Sequence, residues 1–207
     1  MTLGEISDVA GHYGLSVLGA FHDKGQTVVL LGPNEPEFWS VFTQSVEYLS
    51  KEEEPMDRWS RRVIGALAQM SGAEALFPFG GPPYHPFIDW ALKSGRAWQS
   101  PVGLLVHDAS GLFVSYRGAL LVPKRLELAP TGSSPCEKCS EKPCLSACPA
   151  AALTKDGYDV PKCHAHLDTA GTECLSSGCV VRRVCPIGQN NRLPSQSAFH
   201  MRAFHKG

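Results

Sequence analysis

All eight cysteines of this 207-residue chain lie between Cys136 and Cys185. So uneven a distribution divides the chain before any secondary structure is read. The cysteine-free part is long enough to bury a core of its own. The cysteine-rich part is short and poor in apolar residues, so something besides a hydrophobic core must organise it. Disulfides are one candidate. The opening segment, Met1 to Ala10, carries Glu5 and Asp8 and no basic stretch, so it does not read as a secretory signal. A cytoplasmic, reducing setting is therefore expected, where disulfide frameworks are rare and metal ligation is the main use for grouped thiols.

The spacing narrows the choice of metal. The first four cysteines run Cys136-x2-Cys139-x4-Cys144-x3-Cys148, followed at once by Pro149. The bacterial ferredoxin pattern is C-x2-C-x2-C-x3-C-P, so this run differs by two residues between its second and third cysteines. A cubane offers four irons at tetrahedral corners. Two cysteines separated by two residues reach adjacent irons from one tight loop, a third close by takes another corner, and the fourth points away toward a neighbouring cluster. Cys185-Pro186 mirrors Cys148-Pro149. The expected partition is four and four. Cluster one takes Cys136, Cys139, Cys144 and Cys185; cluster two takes Cys148, Cys163, Cys174 and Cys179. The competing reading is zinc, with two four-thiolate sites or with His164 and His166 as substitute ligands. Zinc ribbons usually carry paired C-x2-C knuckles, and only Cys136 and Cys139 have that form here.

The remaining sequence reads as a second, conventional domain. With 43% apolar and 19% charged residues, the chain is not a disordered one. It has no apolar run long enough for a transmembrane helix, so no membrane association is expected. Its net charge of −1 argues against nucleic acid as a general partner. Residues 1–133 hold 10 Lys and Arg against 14 Asp and Glu, and residues 134–207 hold 9 against 6, so the boundary in chemistry is also one in charge. Domains over 1–130 and 131–207 are expected, with the prolines and glycine between 123 and 135 forming the join.

Within the first domain the pattern is α+β. Residues 3–13 suggest a short helix. Leu15 to Phe21 and Thr27 to Leu31 flank the polar turn Asp23-Lys24-Gly25 and suggest a strand pair. Phe38, Val41, Phe42, Val46 and Leu49 follow a helical period, as do Val63, Ile64, Leu67 and Met70 in a helix beginning at Asp57. The proline-rich stretch from Pro78 to Pro86 is a loop, and a short helix from Pro86 to Lys93 ends at Gly95. Val102 to His107 and Leu112 to Val122 flank Asp108-Ala109-Ser110-Gly111, which predicts a hairpin. Residues 195–205 suggest a final helix or a loose tail.

From about Pro86 to Asn191 the chain resembles epoxyqueuosine reductase and, more loosely, the corrinoid-dependent reductive dehalogenases. Gly95-Arg96-Ala97-Trp98 with Leu104-Leu105 is similar to that family's Gly-Trp segment, and Leu126-Glu127-Leu128-Ala129-Pro130 to the stretch before its clusters. Cys144-Leu145-Ser146-Ala147-Cys148-Pro149 resembles its first cluster motif. Gly178-Cys179 with Arg183-Val184-Cys185-Pro186 resembles its second. Arg182 stands where that family has a further cysteine, and Gln99-Ser100-Pro101 replaces its Gly-Lys-Asn. The chain also ends before the region that family uses for tRNA. The resemblance therefore implies architecture more than substrate: a nitroreductase-like α+β domain followed by a ferredoxin-like dicluster module.

By the same resemblance Asp57 is a candidate catalytic acid, though an N-cap explains it as well, and Trp98 is a candidate cofactor-contacting residue; His85 is another, from its place in the proline-rich loop. The implied cofactors are two [4Fe-4S] clusters and a cobalamin, and the implied partner is a redox protein. Three functions follow from these expectations. One is an iron–sulfur electron-transfer protein serving a corrinoid-linked reductase. The second is a ferredoxin-like carrier without corrinoid. The third is a zinc-stabilised interaction module.

Overall fold

The computed structural model describes residues 1–169, 171–189 and 191–206. It is a mixed helix and sheet protein. Helix α1 (Leu3–His12) opens with a capping box: the Thr2 hydroxyl accepts the Glu5 N–H while the Glu5 carboxylate accepts the Thr2 N–H. Strands β1 (Leu15–Asp23) and β2 (Gln26–Pro33) pair antiparallel around Lys24 and Gly25, both at positive φ. Helices α2 (Glu37–Thr43), α3 (Val46–Leu49) and α4 (Pro55–Ser71) follow, then β3 (Glu74–Leu76), α5 (Phe87–Lys93), β4 (Ala97–Gln99), β5 (Leu105–His107) and β6 (Gly118–Val122). The cysteine-rich part holds α6 (Pro135–Lys138), a 3₁₀ turn over Pro143–Leu145, the short strands β7 (Leu153–Thr154) and β8 (Gly157–Tyr158), and helices α7 (Val160–Leu167), α8 (Glu173–Ser177), α9 (Val180–Arg183) and α10 (Pro194–Lys206). No helix among the described residues is long and apolar enough to cross a membrane.

These elements divide into two units: Met1–Arg96 with Ser115–Gly132, and Ala97–Val114 with Ser133–Gly207. The segment 97–114 thus belongs with the cysteines, although it precedes the proline-rich join in sequence.

In the first unit the sheet order is β1-β2-β6-β3, every neighbour antiparallel. The central strand β2 is buried almost throughout, which explains its unbroken apolar run Val28 to Leu31. Helix α4 packs on β3 and β6 through Val63, Ile64 and Leu67. Phe38 and Phe42 stack nearly parallel, and Trp59 meets both edge-on, with centroids 5.3 to 6.0 Å apart.

Two expected elements differ. The helix expected to run from Phe38 to Leu49 is broken at Ser45. The Ser45 hydroxyl donates to the Phe42 carbonyl (2.7 Å) and accepts the Tyr48 N–H (3.3 Å), competing with the helical ladder for those groups. Val46 and Leu49 consequently lie 71% and 63% exposed, not on the core face. The hairpin expected around Gly111 also fails to form as a strand pair. His107 and Gly111 exchange backbone hydrogen bonds at 3.0 Å, and the buried His107 Nδ1 accepts the N–H groups of Ala109 and Ser110 at 3.2 Å. The Phe113 N–H then bonds the Ser110 carbonyl and turns the chain. Strand β5 pairs with β4, and β6 pairs with β2 and β3.

In the second unit the core is Val102, Val106, Leu112, Leu153 and Val181 together with Cys144 and Cys185. Segment 97–114 supplies three of those apolar side chains, and the thiols themselves are core members.

Candidate metal centre

Each cysteine owes its place to a local device. Cys136 lies in the first turn of α6, whose N-cap Ser134 accepts the Cys136 N–H. Pro135 occupies the first helical position, where its missing N–H costs nothing. Cys139 ends the helix in an extended conformation. Lys142, at φ 44°, reverses the chain into the 3₁₀ turn carrying Cys144. Cys185 follows α9 directly. Its sulfur lies beside Gly111: a Cβ built there would be 3.1 Å from Cys185 Sγ and 2.0 Å from the Ile187 carbonyl oxygen.

These four thiols line one hollow of about 380 Å³, counting the space open to solvent, whose other walls include Val106, Leu112, Pro143 and Ile187. Burial pushes the Cys136 and Cys144 thiols up, and the neighbouring sulfurs of the same four add to it. Four thiolates crowded into an apolar hollow repel one another, and a multiply charged cation removes that obstacle.

The other four thiols are linked by their charges. Cys163 lies on α7, Cys174 on α8, Cys179 caps α9, and Cys148 follows the 3₁₀ turn. Cys148 Sγ accepts the Ala152 N–H at 3.2 Å. Burial raises Cys163 and Cys174, and the charges of Cys148 and Cys174 on the first, and of Cys179 and Cys148 on the second, add to the rise. Tyr158 opposes the rise at Cys163, as Val180 and Thr172 do at Cys174. Tyr158 itself is raised well above the ordinary phenol range by burial, with the neighbouring Cys163 adding to it.

All eight cysteines are free thiols. Among the described residues, no three His, Cys, Asp or Glu side chains converge in a way that could hold one metal ion. A single tetrahedral zinc, about 2.3 Å from each sulfur, needs such convergence. Cubane thiolates each bind a different iron and stand farther apart. Of the two histidines offered as zinc ligands, His166 has a ring nitrogen in a hydrogen bond, whereas the buried His164 Nε2 has no hydrogen-bond partner among the described residues. His166 Nε2 shares a hydrogen bond with the Thr172 hydroxyl (2.9 Å), and the His164 ring meets Phe204 edge-on at 4.6 Å.

Of the other predicted residues, Asp57 pairs with Arg117, which also donates to Ser60 Oγ at 3.0 Å. Phe79 lies under the Arg117 guanidinium at 5.2 Å. Asp57 is thus the anionic half of a largely buried ion pair. His85 is exposed, its ring 5.4 Å from Trp90. Trp98 lies on β4 and packs against the second unit's core, whereas Asp57 and His85 belong to the first unit.

Three contributors escaped the sequence reading. Tyr158 precedes Cys163 by five residues and carries no motif. Ser134 reads only as a linker serine, and Gly111 only as a turn residue. Compared with family models and with curated proteins, the chain matches none.

Proposed function

We propose that this protein is an iron–sulfur electron-transfer protein whose second unit carries two [4Fe-4S] clusters. The observation that carries the proposal is the gathering of Cys136, Cys139, Cys144 and Cys185 around one apolar hollow, the same four that the doubled Cys-Pro pattern sets apart. Cys148, Cys163, Cys174 and Cys179 form the second set, supported by their mutual charge interactions. Bound cubanes supply reversible one-electron chemistry. The chain's own residues do the rest. The thiols ligate, Val106, Leu112 and Ile187 exclude water, and hydroxyl and amide donors to sulfur tune the potential.

The extension to a corrinoid-linked reductase with a nitroreductase-like first unit rests on the sequence resemblance. Asp57 pairs with Arg117 and the exposed His85 ring lies 5.4 Å from Trp90; the electron-transfer reading uses neither residue. The test is an anaerobic absorption spectrum with low-temperature electron paramagnetic resonance. A broad brown absorbance that bleaches with dithionite, giving signals of interacting reduced clusters, is the expected result. A colourless protein carrying stoichiometric zinc overturns the proposal.

A further inference from the structure

The second unit holds another hollow, of about 740 Å³ counting the space open to solvent, and no cysteine lines it. Among its polar walls are Arg183 on α9, Arg192, and Ser197 in the first turn of α10. Among the described residues no carboxylate lines it. Both cations are oriented. Arg183 Nε donates to the Gly178 carbonyl at 3.3 Å and its Nη2 pairs with the exposed Glu173 at 2.6 Å, which leaves Nη1 without a partner among the described residues. The Arg192 guanidinium lies over the Phe113 ring, 5.1 Å from its centre. An arginine keeps its proton in any such setting.

Ser197 is 4% exposed, yet its hydroxyl has no hydrogen-bond partner among the described residues. A hydroxyl taken out of water and left unpaired is costly, and a ligand in the hollow would satisfy it. A Cβ on Gly178 would lie 2.4 Å from Ser197 Cβ, so the glycine lets the end of α8 close on this serine. The Ser197 N–H bonds the Leu193 carbonyl at 3.1 Å, which puts Leu193 at the N-cap of a 13-residue helix. Leucine has no side-chain acceptor to offer the first-turn N–H groups, so its side chain leaves the positive end of α10 uncapped.

We propose that this hollow binds a phosphate group carried on a small organic molecule. The Arg183 and Arg192 guanidiniums, the Ser197 hydroxyl and the first turn of α10 hold the phosphate, while Phe113, Leu193 and Pro194 receive the organic body. A phosphate group brings about 1.5 to 2 negative charges and three strong acceptor oxygens. That matches two planar cations, an unpaired hydroxyl and a helix N-terminus. Inorganic phosphate offers the same anion but leaves the apolar wall unused. The proposal concerns binding alone and holds whichever metal the thiols carry.

The test is calorimetric titration of the whole chain, purified without oxygen, with phenyl phosphate and with inorganic phosphate at an ionic strength held constant by sodium chloride. Phenyl phosphate saturates a single site and binds several-fold tighter than inorganic phosphate. Ser197→Ala removes only the hydroxyl and weakens both ligands by about tenfold, the usual loss of one hydrogen bond to a charged group. Arg192→Gln weakens them at least as much, while Ser195→Ala, exposed in the same turn, changes neither. Should Arg192→Gln fail to fold, Ser197→Ala against Ser195→Ala still decides the location. Equal affinities for the two ligands overturn the organic part and assign the hollow to inorganic phosphate. No saturable binding at millimolar concentration, or affinities unmoved by Ser197→Ala and Arg192→Gln, overturns the proposal.

Discussion

Replacing Gly111 with alanine tests the geometry of the first thiol set without touching a thiol. Gly111 sits at φ +55°, a region that costs a non-glycine residue roughly 1–2 kcal/mol. The added Cβ would lie 2.0 Å from the Ile187 carbonyl oxygen, 2.8 Å from its carbon and 3.1 Å from Cys185 Sγ. The backbone at Ile187 must therefore retreat by about 1 Å to reach an ordinary contact. Relief of that overpacking costs a further 1–3 kcal/mol or so. Cys185 is two residues away, and metal–ligand distances tolerate only about 0.2 Å. The expected outcome is a protein that retains about half of the wild-type iron, the second set being intact. Gly103→Ala is the control. Gly103 lies in the same unit at φ +77°, and its Cβ would meet nothing within 4 Å, so it bears only the conformational cost and keeps its iron. The assay is iron and acid-labile sulfide per chain on anaerobically purified protein. Full iron in Gly111→Ala, or equal losses in both variants, refutes the reasoning.

Single ligand changes in the two sets, Cys136→Ala and Cys148→Ala, should each remove about half the iron; loss of all iron from either, or of none, contradicts the partition. Asp57→Asn leaves Arg117 buried without its counter-charge and should cost about 1–3 kcal/mol, discounted because Asp57 is a quarter exposed; an unchanged urea midpoint would show that the pair is not structural. Glu47 is buried, and its carboxylate accepts two hydrogen bonds from Arg62 at 2.5 and 2.9 Å, which hold its carboxyl below the ordinary range. A lowered folded pKa gives stability that is complete above the unfolded value, about 4.3, and is lost as pH falls through the folded one. Glu47→Gln should thus melt below wild type near neutrality and converge with it on acidification; melting curves that stay parallel across that range would sink the idea.

Where local chemistry decided the outcome, the sequence was readable. The capping box at Thr2, the apolar runs of β1 and β2, and the face of α4 all follow from short-range rules. So does the grouping of Cys136, Cys139 and Cys144, whose spacing constrains a single loop. Cys185 was assigned by the repeated Cys-Pro, a pattern and not a distance. What stayed hidden depends on contacts between distant segments. Ser45 looks like any helical serine until its hydroxyl takes the Phe42 carbonyl. Val102, Val106 and Leu112 look like hairpin residues of the first domain, yet they build the core around the thiols. The role suggested for Asp57 came from resemblance and that for His85 from its place in the proline-rich loop, and neither signal reveals the Asp57–Arg117 ion pair or the His85–Trp90 ring contact.

The most direct test of the central claim is iron and acid-labile sulfide per chain, measured together with zinc on protein purified without oxygen. Two cubanes require about eight irons and about eight sulfides, and that is the predicted result. One to two zinc ions with neither iron nor sulfide would contradict it.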